Sequence, residues 1–162
     1  MKCELSGSFK IAVDVPKSYE LLVGILDDPE LEHIARILIY GGQEVIPKKF
    51  YDVIPELGDY DTSFDIFNIP SRDFLSATEE QYSASWQDTL DRYIKQFKSP
   101  YIALEKLGAT IVEQMKLVIQ YHEWVENGWI ETTYKKMTGG SSRPLVDTGH
   151  MLNSIKYKVV IN

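Results

Sequence analysis

The chain has 162 residues, of which 44% are apolar and 25% are charged, and its formal net charge is −7. This is the composition of an ordinary globular protein with enough chain for one core. Residues 1–75 hold 14 acids and 7 bases while residues 76–162 hold 10 of each, so the acidic front half argues against binding a phosphate backbone as a primary task. The lone Cys3 excludes an internal disulfide, and no apolar run approaches the roughly 20 residues of a membrane-spanning helix. No basic leader precedes an apolar segment, so we expect synthesis in the cytoplasm.

The front of the chain predicts two strands and a short helix. Alternating apolar residues indicate a strand over residues 8–15 and a second over 19–26, where Gly24 indicates a bulge or a close backbone approach. Asp28 is a good N-cap and Pro29 suits the first helical position, so we expect a helix over about 29–40 that ends at Gly41 and Gly42. Its apolar stripe comprises Leu31, Ile34, Ala35, Leu38 and Ile39.

Residues 43–72 are the least regular part of the sequence. They combine three prolines, an acidic run and five aromatic residues. A loop of this length in a compact protein is usually functional or disordered, and interleaved aromatic residues argue against disorder alone. We therefore expect an arm or long loop that becomes ordered against a partner.

Two long helices follow. Ser76 and Glu79 have the spacing of a capping box, which predicts a helix over about 76–98, and Ser99-Pro100 starts another over about 100–126. So tight a turn predicts an αα-hairpin or an angled pair, and residues 128–142 form a flexible loop after it. The predicted face of the first helix is Tyr82, Trp86, Leu90, Tyr93, Ile94 and Phe97, and that of the second is Leu104, Leu107, Ile111, Met115, Val118, His122 and Val125.

The C-terminal segment predicts a turn, a short helix and a closing strand. Asp147 and Thr148 are suited to cap a helix, and from Ile155 the apolar period changes from helical spacing to two. Lys156 and Lys158 then lie on the opposite side of the strand from Ile155, Tyr157, Val159 and Ile161. We therefore predict one α+β domain over residues 1–162, in which an antiparallel sheet contains the N- and C-terminal strands and packs on the helices.

Catalytic and metal-binding patterns are weak. Asp147-Thr148-Gly149 is the signature of aspartic proteases, but that mechanism needs two such carboxylates, so only a symmetric dimer could supply the pair. His122-Glu123 begins like a zinc helix, but the required second histidine is Glu126, and we expect His122 to be partly buried instead. The sequence predicts no cofactor, no metal and no enzymatic activity.

The C-terminal motif carries a resemblance. It reads Pro144-Leu145-Val146-Asp147-Thr148-Gly149, followed by Leu152, Ser154-Ile155 and Tyr157. It resembles the ending of minor tail and tail-completion proteins of tailed bacteriophages, including the virion-morphogenesis proteins related to phage Mu protein G. Two earlier segments resemble the same family and occur in the same order: Val23-Gly24-Ile25 with Ile34-Ala35 and Tyr40-Gly41-Gly42, and Ile69-Pro70-Ser71-Arg72-Asp73-Phe74-Leu75. Two residues depart from the family's usual pattern: Asp73 stands where proline is usual, and His150, in the C-terminal motif, stands where arginine is often found. Leu107-Gly108 also resembles a position in the second helix of that family.

The resemblance implies a structural virion protein rather than an enzyme. Such proteins have an α+β fold and assemble as a ring, often sixfold, at the end of the tail that meets the head, with the tail tube and the head–tail connector as neighbours. DNA passes through the ring without specific binding. The alternative is an interaction module of a prophage or a cell, and an aspartic-protease-like dimer that uses Asp147 is the third reading.

Charge suggests how such a ring holds together, because an acidic patch on one subunit meeting a basic segment on the next is a head-to-tail contact. The candidate subunit interface consists of Arg72, Phe74, Lys156 and Lys158, and the candidate channel-facing acids are Asp59, Asp61 and Asp65. The residues assigned a structural role are Pro144, Leu145, Asp147, Thr148, Gly149, Leu152, Ser154 and Ile155.

Overall fold

A computed structural model of the chain describes residues 3–4, 8–11, 13–14, 18–45, 66–124 and 150–162. These residues form an α+β fold, as predicted. The strands are β1 Cys3–Glu4, β2 Ser8–Lys10, β3 Tyr19–Ile25, β4 Gly42–Val45, β5 Ile66–Ile69 and β6 Ile155–Ile161. The helices are α1 Pro29–Tyr40, α2 Phe74–Tyr82, α3 Trp86–Phe97, α4 Pro100–Tyr121 and α5 His150–Asn153, with a 3-10 turn at Ser83–Ser85.

The main sheet joins both ends of the chain. Its strand order is β1-β2-β3-β6 and every neighbouring pair is antiparallel, which confirms the predicted pairing of N- and C-terminal strands. The register of β3 on β6 runs without interruption from Tyr19 opposite Ile161 to Ile25 opposite Ile155. There is thus no bulge at Gly24, which instead adopts a φ of 148° that L side chains rarely take. The first predicted strand is shorter than expected, because β2 ends at Lys10.

Local capping explains α1. The Asp28 side chain accepts a hydrogen bond from the Leu31 N–H at 3.1 Å, Pro29 occupies the first turn, and Gly41 ends the helix with a φ of 73°. The signals at both ends are therefore confirmed. The apolar stripe is narrower than predicted, because the Ile34 side chain is 46% exposed.

The segment predicted to be irregular begins and ends in strands. Strand β4 pairs with β5 in a second, two-stranded antiparallel sheet, from Gly42 opposite Ile69 to Val45 opposite Ile66. Both ends of the segment predicted as an arm or long loop over residues 43–72 therefore contain paired strands, and the arm itself stays a prediction. Residues 46–65 lie outside the described part of the chain.

The next segment attaches to the end of α1. The Arg72 N–H donates to the Leu38 carbonyl at 2.6 Å, and the Ser71 hydroxyl donates to the Ile39 carbonyl at 2.5 Å. The last carbonyls of a helix have no partner within the helix, so these two bonds satisfy groups that would otherwise need water. The Arg72 side chain is buried in the fold.

The first long helix differs from the prediction in its start and its continuity. Asp73 is the N-cap, because its side chain accepts from the Ser76 N–H at 3.0 Å and from the Ser76 hydroxyl at 2.7 Å. Ser76 therefore lies in the first turn rather than ahead of it. The turn at Ser83–Ser85 divides the predicted helix into α2 and α3, and α3 ends at Lys98 in the left-handed conformation with a φ of 55°.

Helix α4 is the longest element among the described residues and packs antiparallel to α3. The Ser99 side chain caps it, as predicted, and the Trp86 indole N–H donates to the Gln114 side chain at 2.9 Å. Tyr93 contacts Thr110 at 3.4 Å, so residue numbers rise along one helix as they fall along the other, and the αα-hairpin is confirmed. The buried residues predicted for α4 are confirmed at Leu104, Leu107, Ile111, Met115 and Val118.

The C-terminal end of α4 lies earlier than predicted. The helix ends at Tyr121 rather than near residue 126, and His122 takes an extended backbone conformation. The expectation that His122 is partly buried was wrong, because it is exposed just beyond the helix with its ring 4.3 Å from that of Trp124. One apolar core joins β3, β6 and the helices α1 to α4.

Candidate functional site

Strand β6 and helix α4 are held together by a contact between Gly108 and Tyr157. Gly108 is buried among the apolar residues of α4, and a Cβ atom there would lie 2.5 Å from Cδ2 and 2.6 Å from Cγ of Tyr157. Real Cβ contacts are almost never this short, so only glycine lets the tyrosine ring lie against the helix backbone. This fixes the position of the middle of β6 relative to α4.

The same tyrosine reaches a carboxylate one turn earlier on α4. Its hydroxyl donates to Oε2 of Glu105 at 3.1 Å. Burial, followed by the bond to Glu105, raises the pKa of Tyr157 above its ordinary value of 10.0. The negative charge of Glu105 likewise raises the pKa of Tyr101, whose ring lies 6.4 Å from that of Tyr19. Three tyrosines and one carboxylate thus connect the end of the sheet to the first turns of α4.

The other face of β6 is basic and accessible. Lys156 and Lys158 are exposed, as the alternating pattern predicts, while Ile155 on the opposite face is 4% exposed. Neither lysine forms an ion pair with any residue that the structure describes; the salt bridge present there joins Lys116 and Glu113.

The backbone of β6 has one paired and one open side. The Asn162 N–H donates to the Ser18 carbonyl at 2.9 Å, so residues 18 and 162 form a hydrogen-bonded pair. Such pairs alternate along an antiparallel ladder, so residues 156, 158 and 160 also bond toward β3. The backbone groups of Tyr157, Val159 and Ile161 point the other way. Within the described residues no strand lies on that side.

A shallow groove runs beside this open edge. Its volume is roughly 400 Å³, and it lies between α4 and the start of β6. The groove is open to solvent and has apolar side chains in its wall, which is the chemistry of a protein contact rather than of a buried small-molecule site. It is lined by Ala109, Val112, Glu113, Ile155, Lys156 and Tyr157.

A second groove lies where the C-terminal end of α4 meets α2. Its volume is roughly 520 Å³, and it contains the exposed side chains of Leu117, Tyr121 and His122. Across residues 3–4, 8–11, 13–14, 18–45, 66–124 and 150–162, no three His, Cys, Asp or Glu side chains come together as a metal site would require. In that same part of the chain, no helix has both the length and the apolar character to cross a bilayer.

The structure places the predicted site residues in three groups. The candidate channel acids Asp59, Asp61 and Asp65, and the motif residues Pro144, Leu145, Asp147, Thr148 and Gly149, lie outside the described residues. Leu152 and Ile155 pack against the core, and the Ser154 N–H donates to the Met151 carbonyl at 3.1 Å. Lys156 and Lys158 lie at the surface.

Two residues of the candidate interface are not at the surface. Arg72 is 2% exposed and Phe74 is 0% exposed, so neither can meet a neighbouring subunit while the chain is folded. The prediction that these two contact a neighbour was wrong. The physical reason is the attachment of residues 71 and 72 to the end of α1, which carries the start of α2 into the core.

Sequence reasoning missed the contact of Glu105, Gly108 and Tyr157. The signal available was Gly108 itself, an unfavourable residue in the middle of a helix that lies next to Leu107 on the buried stripe. Comparison with known proteins adds no family: no family model, no curated protein and no solved structure matches the chain.

Proposed function

We propose that this chain is a structural protein of a tailed-phage virion, a tail-completion or tail-terminator subunit that forms a ring at the head–tail junction. The ring lets DNA pass and performs no catalysis. The proposal starts from the resemblance of the segment from Pro144 to Tyr157 to tail-completion proteins, with two further similar segments in the same order.

The observation that carries the proposal is the build of β6. This strand is anchored on one face by Tyr157 against Gly108, and on its other sides it offers two exposed lysines and a backbone edge that no strand among the described residues covers. A rigid element with an open edge and a distinct charge is what a subunit needs to bind another protein repeatedly in one orientation. An enzyme would instead need convergent reactive groups, and β6 offers none.

Net charge supports passage of DNA. The chain carries −7, so a ring of several copies repels the duplex and does not retain it by phosphate contacts. The two exposed lysines of β6 serve contacts between subunits in this proposal, and they are therefore covered when the ring closes.

The test is native mass spectrometry of the purified protein with negative-stain imaging, over a range of protein and salt concentrations. We expect a closed ring with a central hole wide enough for duplex DNA, and we expect its stability to fall as salt screens the charged contacts. A monomer under every condition, together with absence of the protein from purified virions, would refute the proposal. That result would favour an interaction module outside the virion.

A further inference from the structure

We infer that subunits join edge to edge, with β1 of one copy pairing beside β6 of the next so that the four-stranded sheets form one continuous sheet. This inference deepens the proposed function and rests on the ring that it assumes. In this arrangement, a second copy of the chain, bound head to tail, covers the open edge of β6.

The direction of the strands permits this arrangement. The order β1-β2-β3-β6 alternates throughout, so β1 and β6 run in opposite directions. A second copy placed beside the first, with its helices on the same side, therefore presents β1 antiparallel to β6. Repeating one such step generates a head-to-tail assembly, which becomes a ring when the rotation closes.

The open edge has the groups that a new strand requires. Tyr157, Val159 and Ile161 direct their N–H and C=O groups away from β3, so each can exchange a pair of hydrogen bonds with a residue of an incoming antiparallel strand. The groove beside α4 is open on the same side and has the apolar residues Ala109 and Val112 in its wall. It can therefore cover helix-facing groups of the added strand.

Charge favours β1 over a second β6 as the occupant. If β6 paired with its own copy along its full length, its middle residue Lys158 would lie directly opposite the same lysine, and like charges placed in this way are destabilising. Strand β1 instead contains Glu4, whose register through Ser8 and Gly24 leads to Lys156. In the register that sets Cys3 opposite Val159, the residue opposite Lys158 is therefore Glu4 rather than a second lysine.

The single cysteine provides a direct test of this register. Cys3 belongs to the backbone register column that runs through Phe9 and Val23 to Tyr157, and Val23 and Tyr157 of that column pack in the core. Directly opposed residues of antiparallel strands have Cα atoms about 5 Å apart, within reach of a disulfide. A cysteine introduced on the same face of β6 can then bond to Cys3 of the next copy.

The experiment compares Val159→Cys, on the helix-facing side, with the matched control Lys158→Cys, one residue earlier on the opposite face. Ile161→Cys tests the neighbouring register at a position that is 65% exposed. Each purified variant is oxidised under the conditions in which native mass spectrometry detects the oligomer. The products are analysed by non-reducing electrophoresis, and circular dichroism verifies that each variant is folded. Reduced samples provide the reference.

We expect Val159→Cys or Ile161→Cys to give a covalent ladder of three or more subunits, at least tenfold more abundant than with Lys158→Cys and abolished by adding Cys3→Ser. Dimers that persist after Cys3→Ser would mean that β6 pairs with β6, which overturns the inference. A closed ring without a ladder from either variant would also overturn it and leave the proposed function intact. If no oligomer forms at all, the inference fails, and detection of the protein in purified virions decides the proposed function separately.

Discussion

Replacing Gly108 with alanine should destabilise this protein, although the same change in an ordinary helix is stabilising. Glycine is about 1 kcal/mol less favourable than alanine in a helix interior, so helix propensity alone predicts a gain of that size. The added Cβ atom would lie 2.5 Å from Cδ2, 2.6 Å from Cγ and 3.0 Å from Cβ of Tyr157. These ring and Cβ atoms lie close to the backbone of β6, so they cannot move aside as the end of a flexible chain would.

The size of the loss follows from three contributions. Overpacking of this kind costs about 1–3 kcal/mol. Displacing the ring also breaks the hydrogen bond from Tyr157 to Glu105, which contributes about 1 kcal/mol. After subtraction of the gain in propensity, Gly108→Ala should lower the free energy of unfolding by about 1–3 kcal/mol. For a chain of this length, each kcal/mol lowers the Tm by about 2–4 °C.

The assay is urea unfolding followed by circular dichroism, with Ala109→Gly as the matched control. Ala109 is exposed on the same helix, so Ala109→Gly measures the intrinsic difference between the two residues in α4. In a Tyr157→Ala background most of the clash is absent, and Gly108→Ala should become neutral or stabilising there. If Gly108→Ala in the natural chain raises the free energy of unfolding by as much as Ala109→Gly lowers it, the predicted clash with the Tyr157 side chain is refuted.

Three other changes test separate elements. Asp73→Ala should lower the free energy of unfolding by about 1 kcal/mol, because it removes the two bonds to Ser76. Asp73→Asn keeps a side-chain oxygen at the cap and should retain most of this stabilisation, and urea unfolding measures both variants. Lys98 has a left-handed backbone conformation, which costs roughly 1 kcal/mol for any residue other than glycine. Lys98→Gly should therefore leave the Tm unchanged or raise it, and a fall in the Tm would contradict this. The raised pKa of Tyr157 means that the folded state keeps this proton to higher pH than the unfolded chain does, so the stabilisation is complete below pH 10 and is lost as the pH rises further. Tyr157→Phe should therefore reduce the loss of stability above pH 10, and identical pH profiles for the two proteins would contradict the raised pKa of Tyr157.

Local signals in the sequence predicted much of the fold. The cap at Asp28, the stop at Gly41 and the apolar spacing of α4 are each decided by residues within one or two turns, so the sequence alone identifies them. The alternation of Lys156 and Lys158 with apolar residues likewise predicted which face of β6 is exposed. These features do not depend on distant parts of the chain.

The errors involve partners that are far apart in sequence. Arginine is ordinarily a surface residue, yet the Arg72 backbone bonds to Leu38, more than 30 positions earlier, and its side chain is buried. The pairing of β4 with β5 spans residues 46–65, so no local period indicates it. At α2 two caps compete, and Asp73 prevails over Ser76 because the attached segment before it fixes where the helix begins.

The alternating backbone of β6 has a consequence for hydrogen exchange. Amide protons of Lys156, Lys158 and Val160 are held by β3 and should exchange with solvent deuterium slowly, while those of Tyr157 and Val159 point to the open edge and should exchange quickly. A strand added at that edge slows the second set and leaves the first unchanged. Tightening of the whole fold slows both sets together, so the exchange pattern of five consecutive amides distinguishes docking at the edge from general stabilisation.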